Sequence, residues 1–288
     1  MQRIIIAGCG YVGHRVAKLW RERGADVCCL VRSPDKAATL AGEGYSASAV
    51  SFDDITAISL PDMAGAVLYY LIPPPGGGVV DTRARNFIQT MGNSASPSKI
   101  IYMSATSVYS ETAGGIVTEE SPAEPLSAMG KRRLDAEQAF LAQGCATGTP
   151  VVILRVSGIY GPGRLPLIQI SQGQPLLCEG ESGPSNRIHA DDLAAVCLAA
   201  ADHGEGGDIY NISDGHPTSM TSYFNACADK LGYPRQPQVS MEEARRVMSP
   251  LMLSYVTESR VVDNSRALER LNITLKYPTV LAGLHNCV

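Results

Sequence analysis

The chain has 288 residues, of which 45% are hydrophobic and 18% charged, and its formal net charge is -4 at pH 7. This length suffices for one large domain, or for a large and a small one, with a sizeable buried core. The scattered basic residues argue against a nucleic-acid surface, because such surfaces concentrate Lys and Arg on one face.

The chain carries no pattern of a membrane or secreted protein. The apolar run Ile4-Ile5-Ile6 follows Met1 almost at once and leads into glycines, unlike a signal peptide, and no apolar run is long enough to span a bilayer. The cysteines form no Cys-x-x-Cys pair, and the histidines have no ligand-type partners at helical spacing. We therefore expect a cytoplasmic protein with reduced thiols, without a metal site and without a membrane or nucleic-acid partner.

Short apolar runs alternate with helical patterns along the first half of the chain. The predicted strands are 3–7, 26–31, 66–72, 99–104 and 151–156, and the predicted helices lie near 11–23, 34–42, 81–92 and 130–143. Continuous apolar strands between helices indicate a parallel sheet covered on both faces. The sequence therefore predicts an α/β protein with a doubly wound parallel sheet.

The regularity weakens after about residue 157, where Gly and Pro become frequent, and it returns in "HADDLAAVCLAAADH" and "DIYNIS". We predict a Rossmann domain from residues 1–156 with returning segments near 189–213. A smaller mixed C-terminal substrate-binding domain would then consist of residues 157–188 and 214–288.

A glycine motif stands between the first predicted strand and the first predicted helix. Gly8, Gly10 and Gly13 form G-x-G-x-x-G, in which the first glycine permits a tight turn, the second lets the backbone approach a pyrophosphate, and the third lets helix and strand pack closely. The helix N-terminus adds partial positive charge for the phosphates. In this context the motif predicts dinucleotide binding.

The end of the second strand bears on which dinucleotide is bound. An NAD site usually has a carboxylate there for the ribose hydroxyls, but this chain has Arg32 and Ser33. An arginine followed by a hydroxyl suits a 2′-phosphate. Ser33 could equally be the N-cap of a helix that begins with Pro34, and both roles are compatible. We predict that NADP(H) is preferred, with NAD(H) as the alternative.

Further motifs extend along nearly the whole chain. Together with the glycine motif, the segments "IIYMSATSVYS", "ILRVSGIYGPGR", "RIHADDLA" and "YNISDG" occur in a familiar order and spacing. The chain resembles the extended short-chain dehydrogenases/reductases, the NAD(P)-dependent epimerase/dehydratase superfamily. The resemblance implies a small-molecule substrate and either a monomer or a homodimer formed through the helices near 81–92 and 127–144.

The resemblance also identifies the positions of the family's Ser/Thr, Tyr and Lys triad. Aligning "SATSVYS" and "MGKRRLDAE" with the family puts Ala105, Met129 and Arg133 at these positions. A thioether cannot donate a proton, and an arginine is a poor proton relay. The chain therefore resembles an atypical member that lacks the usual Tyr-x-x-x-Lys.

Two functions are compatible with this departure. One is an NADP(H)-dependent oxidoreductase or epimerase-like enzyme that acts on a small polar substrate, such as one with a sugar or phosphate group. Its proton donor would then be Tyr109, Tyr160, His189 or the substrate itself, and a one-residue shift of the alignment would bring Thr106 into the role of the family's Ser/Thr hydroxyl. Tyr160 could instead be a buried structural tyrosine, and His189 a helix cap. The other function is a catalytically silent NADP(H) sensor similar to NmrA-like regulators.

The resemblance assigns the remaining site residues. Arg187 matches a basic residue that reaches the ligand from the interdomain cleft, and Arg164 could supply a second cation, unless either forms only a surface ion pair with an acid such as Asp191 or Asp192. The predicted substrate-binding residues are Arg187, Arg164 and His189. The predicted cofactor-binding residues are Gly8, Gly10, Tyr11, Val12, Gly13, Arg32, Ser33, Leu71, Ser104 and Arg133.

Overall fold

The structure is a computed structural model that describes residues 1–92 and 96–287. The strands in this part of the chain are β1 (Arg3–Ala7), β2 (Asp26–Val31), β3 (Ser46–Ala49), β4 (Val67–Tyr70), β5 (Lys99–Ala105), β6 (Ala113–Val117), β7 (Val151–Val156), β8 (Gly158–Tyr160), β9 (Leu176–Leu177), β10 (Pro184–Ser185), β11 (Arg187–His189), β12 (Ile209–Ile212), β13 (Thr218–Ser219), β14 (Gln238–Val239) and β15 (Ser259–Val262).

The helices follow the strands in alternation over the first half of the chain. They are α1 (Tyr11–Glu22), α2 (Pro34–Gly42), α3 (Thr82–Met91), α4 (Ala128–Thr147), α5 (Leu167–Ser171), α6 (Ala190–His203), α7 (Met220–Leu231), α8 (Met241–Val247), α9 (Pro250–Thr257), α10 (Ser265–Arg270) and α11 (Val280–Leu284). None of these helices is long and apolar enough to cross a membrane.

The central sheet has seven strands in the order β12-β7-β5-β4-β1-β2-β3, and every neighbouring pair is parallel. The chain winds outward in one direction from β1 to β3 and in the other from β4 onward. This order confirms the predicted doubly wound Rossmann sheet. It also opens a crevice between the carboxyl ends of β1 and β4, where such sheets bind ligands.

An apolar cluster covers each face of the sheet. On one face, α1 and α6 pack with Trp20 buried against Tyr69, whose hydroxyl accepts the indole N–H at 2.8 Å. On the other face, Phe87 of α3 and Phe140 of α4 pack around Tyr70. Burial on both faces explains why the strands read as continuous apolar runs.

The structure differs from the sequence-based elements at a few positions. The edge strand β3 has the sequence Ser-Ala-Ser-Ala and was not predicted, because it has none of the branched or aromatic residues that indicate a strand. Strand β4 ends at Tyr70, before the predicted limit of 72. The prolines from Pro73 onward lack the N–H needed to continue a ladder, so the chain leaves the sheet there.

Short two-stranded sheets surround the later part of the chain. Strand β8 pairs in parallel with β11, and the other pairs are β10 with β13, β9 with β14, and β6 with β15. The predicted returning segments form α6 and β12, and β12 extends the central sheet beside β7. The division into two domains stays a prediction.

Candidate active site

A cavity of about 530 Å³ lies at the carboxyl ends of β1, β2 and β4. The glycine motif forms its floor. Gly8 has a φ of +94°, and a Cβ there would lie 3.0 Å from the carbonyl carbon of Leu71. A Cβ on Gly13 would lie 2.6 Å from the Gly8 carbonyl oxygen, whereas one on Gly10 would meet nothing closer than 4.0 Å. The first and third glycines are therefore required by the turn and its packing, and Gly10 leaves room for a diphosphate.

Positively charged side chains gather at one end of this cavity. Arg32, Lys36 and Arg83 all line it, beside Asp53. Arg83 donates to both carboxylate oxygens of Asp53, at 2.5 and 3.2 Å, and this contact holds the pKa of Asp53 below its ordinary value. Neither Arg32 nor Lys36 has a side-chain ion pair within the described residues. This end therefore carries uncompensated positive charge.

Ser33 lies beside these cations and also caps a helix. Its hydroxyl accepts a hydrogen bond from the Lys36 backbone N–H at 3.4 Å, and Pro34 is the first residue of α2. Both the capping alternative and a position in the cavity wall therefore hold for Ser33.

The other end of the cavity, beyond β4, has a different chemistry. Its lining includes Met103, Ile159 and Arg133, none of which carries a hydroxyl or carboxyl group. The Arg133 guanidinium donates to the Met103 carbonyl oxygen at 2.9 Å. Met129 is 40% exposed in the first turn of α4. Arg133 thus supplies a fixed positive charge at this end of the cavity.

Two tyrosines that were candidates for the proton donor lie in the core. Tyr109 is 2% exposed, its hydroxyl donates to Asn211 Oδ1 at 2.6 Å, and burial raises its pKa. Tyr160 is fully buried, its hydroxyl donates to the Thr279 carbonyl oxygen at 3.2 Å, and burial raises its pKa well above the ordinary value. Neither hydroxyl lines the cavity.

The remaining catalytic candidates differ in exposure. His189 is fully buried, and its Nδ1 accepts the Asp191 backbone N–H at 3.2 Å, which caps α6. Burial lowers its pKa, so the neutral ring is favoured. Thr106 is partly exposed at the start of a 3₁₀ turn, where its carbonyl oxygen accepts a hydrogen bond from Arg260 at 2.8 Å.

Ser104, Glu137 and Arg155 form a buried cluster of polar and charged side chains. The Ser104 hydroxyl, predicted to contact the cofactor, donates instead to Glu137 Oε1 at 2.5 Å and is not part of the cavity lining. Glu137 also pairs with Arg155. This pair was not predicted from the sequence. A charged residue inside the apolar strand "VVILRV" is the signal that could have found it, since a buried charge needs a partner.

Arg187 is a buried cation without a carboxylate partner. It is 8% exposed and donates to the Asn186 carbonyl oxygen at 2.9 Å and the Met220 sulfur at 3.2 Å, while its guanidinium lies 4.5 Å from the centre of the Tyr223 ring. No carboxylate lies within ion-pair distance of it in the part of the chain that the structure describes. Burial lowers the pKa of this guanidinium.

The two acids considered as partners of Arg187 are engaged elsewhere. Asp191 pairs with Arg15 at 2.8 Å, and the carboxylate of Asp192 accepts two backbone N–H groups at 2.8 Å each. The surface ion pair considered for Arg187 is therefore not formed.

Arg164 lies near the glycine motif in the cavity wall, whereas Arg187 is not part of that lining. It lines the same cavity as Gly10 and Tyr11, and its guanidinium is 5.1 Å from the centre of the Tyr11 ring. Leu71 and Val12 also belong to the cavity lining. The predicted cofactor residues, except Ser104, are therefore brought together around one cavity with Arg164.

Residues 84–213 match the model of a family described as the NAD dependent epimerase/dehydratase family. The parallel seven-stranded sheet and the glycine-floored cavity agree with this match and with a Rossmann fold. The glycine motif and the cations around the cavity fit a dinucleotide.

Among proteins of known sequence, the chain is 28% identical to Protein YeeZ of Escherichia coli K12, over 98% of both chains. It is 22% identical to the 3-diazoavenalumate denitrifying reductase of a Streptomyces species, over 98% of this chain and 99% of the other. These are similarities over nearly the full length, and the second relative is an oxidoreductase by name.

Among solved structures, a functionally unknown conserved protein from Silicibacter pomeroyi DSS superposes with a TM-score of 0.84 at 27% identity, covering 99% of this chain and 97% of that one. The UDP-glucuronic acid 4-epimerase from Bacillus cereus, solved in complex with NAD, has a TM-score of 0.74 at 20% identity, with the same coverages. The second likeness concerns the fold alone.

Proposed function

We propose that this protein is an NADP(H)-dependent oxidoreductase that transfers a hydride to or from a small polar substrate with an anionic group. The observation that carries the proposal is the pair of uncompensated cations, Arg32 and Lys36, at the end of the cavity that follows β2. That is the position at which a Rossmann site distinguishes a ribose 2′-hydroxyl from a 2′-phosphate.

The charge balance at this position supports a 2′-phosphate. The nearest acid in the cavity wall, Asp53, is neutralised by both donor groups of Arg83 and has little free charge to repel a phosphate. Arg32 can donate a charge-assisted hydrogen bond, and Lys36 follows one helical turn later on α2. The Ser33 hydroxyl at the N-terminus of α2 adds a further donor.

The nicotinamide end of the cavity favours simple hydride transfer. When bound, the reduced nicotinamide supplies a hydride. Sugar-nucleotide epimerases and dehydratases also need a base that removes a hydroxyl proton, and Tyr109 and Tyr160 are buried and hydrogen-bonded away from the cavity. Thr106 and His189 do not line the cavity either, so in this proposal the proton comes from solvent or from the substrate. Arg133 would stabilise negative charge that develops on the substrate without itself giving up a proton.

The substrate's anionic group is assigned to Arg187. The guanidinium is 8% exposed and forms no ion pair with a described residue, and the buried Asp214 carboxyl acts on it only from outside ion-pair distance. A buried charge without a directly paired counter-charge is costly. A carboxylate or phosphate of the substrate would supply that counter-charge through a bidentate contact. Strand β11, which carries Arg187, pairs with β8 beside Ile159 of the cavity wall.

The proposal is tested in two steps. First, calorimetry compares the binding of NADPH and NADH to the purified protein, and NADPH should bind at least several-fold more tightly. Second, loss of NADPH absorbance is followed with carbonyl acceptors that carry a carboxylate or phosphate and with uncharged analogues of the same size. The anionic acceptors should be turned over preferentially.

Two results would contradict the proposal. Equal affinity for both cofactors, or a preference for NADH, removes the NADP(H) assignment. Tight binding of NADPH without its oxidation by any acceptor across both sets would instead support the cofactor sensor.

A further inference from the structure

A tight turn at residues 161–164 brings a cation from the later part of the chain to the glycine motif. The backbone N–H of Arg164 donates to the Gly161 carbonyl oxygen at 3.0 Å, which closes the turn. Its guanidinium lines the cofactor cavity together with Gly10 and Tyr11, the residues at the N-terminus of α1. The turn thus faces the end of the helix where a diphosphate would lie.

The Tyr11 side chain holds this turn in place. Its hydroxyl donates to the Pro162 carbonyl oxygen at 3.0 Å. Gly161 has a φ of +154°, and a Cβ there would lie 2.6 Å from the Tyr11 hydroxyl oxygen, so the close approach requires glycine. The first residue of α1 and the turn are therefore fixed to one another, and this holds the backbone of Arg164 in a defined position.

Two guanidiniums lie against the same aromatic ring, but only one of them is neutralised. Arg15 lies 4.1 Å from the centre of the Tyr11 ring and pairs with Asp191 at 2.8 Å. Arg164 lies 5.1 Å from the centre of that ring and has no side-chain hydrogen bond or ion pair to any residue that the structure describes. Its charge is therefore available to a ligand of the cavity.

We infer that Arg164 binds the diphosphate of the dinucleotide, closing over it opposite the backbone N–H groups of the α1 N-terminus. A planar guanidinium suits this task because it donates two parallel hydrogen bonds to phosphate oxygens. The stacking on Tyr11 restricts the side chain before binding and so lowers the entropy lost on contact. The role differs from the substrate contact that the sequence predicts for Arg164. It rests on the binding of NADP(H) in the proposed function.

The test compares a ligand that has the diphosphate with one that lacks it. Calorimetry measures NADPH binding directly, and adenosine 2′-monophosphate binding is measured by competition, for the wild type, Arg164→Ala and Arg164→Lys. Arg164→Ala should weaken NADPH binding by about tenfold or more, as expected for loss of a charge-assisted contact, and leave adenosine 2′-monophosphate binding unchanged. Arg164→Lys keeps the charge but loses the planar guanidinium with its two parallel donors. Its NADPH affinity should lie between those of the wild type and Arg164→Ala.

Two control variants distinguish this contact from other effects. Arg32→Ala, at the far end of the cavity, should weaken both ligands. Arg245→Ala removes an exposed cation of α8 outside the cavity and reports the effect of net charge alone. It should leave both ligands unchanged. Because Arg164 is exposed, its substitution should leave the unfolding midpoint unchanged.

Each other outcome overturns a different statement. If wild type binds NADPH and Arg164→Ala binds it as tightly, the diphosphate contact is wrong while the proposed function stands. If Arg164→Ala weakens both ligands equally, or raises only the KM of a substrate, Arg164 does not act on the diphosphate. If the wild type binds neither NADPH nor NADH, the proposed function fails together with this inference.

Discussion

The carboxylate of Glu137 on α4 pairs with the guanidinium of Arg155 on β7 through two parallel contacts, Oε2 to Nη2 at 2.8 Å and Oε1 to Nε at 3.1 Å.. The side chains are 2% and 5% exposed, respectively. Glu137 also accepts the Ser104 hydroxyl from β5. The pair therefore attaches α4, the helix that carries Met129 and Arg133, to the sheet.

Glu137→Gln should destabilise the fold by about 3–5 kcal/mol, because it leaves the buried Arg155 charge without a counter-charge. The measurement is the free energy of unfolding in denaturant. Asp229→Asn is the matched control, since it breaks a bidentate pair with Arg235 whose two side chains are 63% and 50% exposed. The control should have a far smaller effect. Similar losses in both variants would mean that burial of the Glu137 pair is not what stabilises α4.

Arg32→Ala should remove most of the preference for NADPH over NADH. A charge-assisted hydrogen bond to the 2′-phosphate contributes about 1.5–3 kcal/mol, which corresponds to roughly a tenfold to hundredfold loss in NADPH affinity. NADH has no such phosphate, so its affinity serves as the internal control and should stay the same. If the variant loses affinity for both cofactors equally, Arg32 shapes the cavity and does not bind the 2′-phosphate.

Tyr109→Phe should lower stability but leave the turnover of folded enzyme largely intact. The substitution removes the hydrogen bond to Asn211 Oδ1 in the core, at a cost of about 1–3 kcal/mol. The pH dependence of NADPH oxidation should keep the wild-type shape, because no proton passes through this hydroxyl. Met129→Phe, at the position predicted from the sequence to replace a catalytic tyrosine, should leave that profile unchanged as well. Loss of one limb of the profile in Tyr109→Phe would identify Tyr109 as the donor after all.

Asp214 should make stability depend on pH in the weakly acidic range. Burial raises its pKa from 3.8 to about 6 in the folded protein. The folded state therefore binds the proton more tightly than the unfolded state, and the protein loses stability as pH rises from about 4 to about 6. The shift corresponds to roughly 3 kcal/mol at 1.36 kcal/mol per pKa unit.

The measurement for Asp214 is the free energy of unfolding of wild type and Asp214→Asn across this pH range. The free energy of unfolding of Asp214→Asn should increase relative to that of the wild type as pH rises. Because the Arg187 charge lowers the pKa of Asp214, Arg187→Gln should shift the wild-type transition to higher pH. A difference between Asp214→Asn and wild type that stays constant with pH would show that the carboxyl keeps an ordinary pKa.

Arg187→Ala should raise the KM for an anionic substrate by roughly tenfold or more without changing NADPH affinity. The uncharged acceptors of the screen are the control, because their KM should respond much less. Steady-state kinetics and NADPH calorimetry on the same preparation separate the two effects. If the variant unfolds more easily yet keeps normal kinetics, Arg187 stabilises the core next to Tyr223 and does not bind substrate.

Much of the architecture is determined by patterns that are local in sequence. The apolar runs of β1, β2, β5 and β7 were sufficient to predict the parallel sheet, and the glycine motif lies at the cavity that the structure has. These features depend on steric rules within a turn and on burial of a continuous strand, and neighbouring residues alone set both. The short edge strand β3 was not predicted from the sequence, because its pairing in the sheet, rather than its own residues, makes it a strand.

The roles of single polar side chains were decided only by the tertiary structure. Tyr109 and Asn211, or Arg83 and Asp53, are far apart in the chain and meet because their elements become neighbours. Whether a tyrosine donates a proton to a substrate or a hydrogen bond to the core depends on that packing. The same holds for Arg164, which a turn fixed by Tyr11 brings to the cofactor cavity. The sequence records the type of a charged or hydroxyl-bearing residue but not its environment, whereas its burial and its partners determine its chemistry.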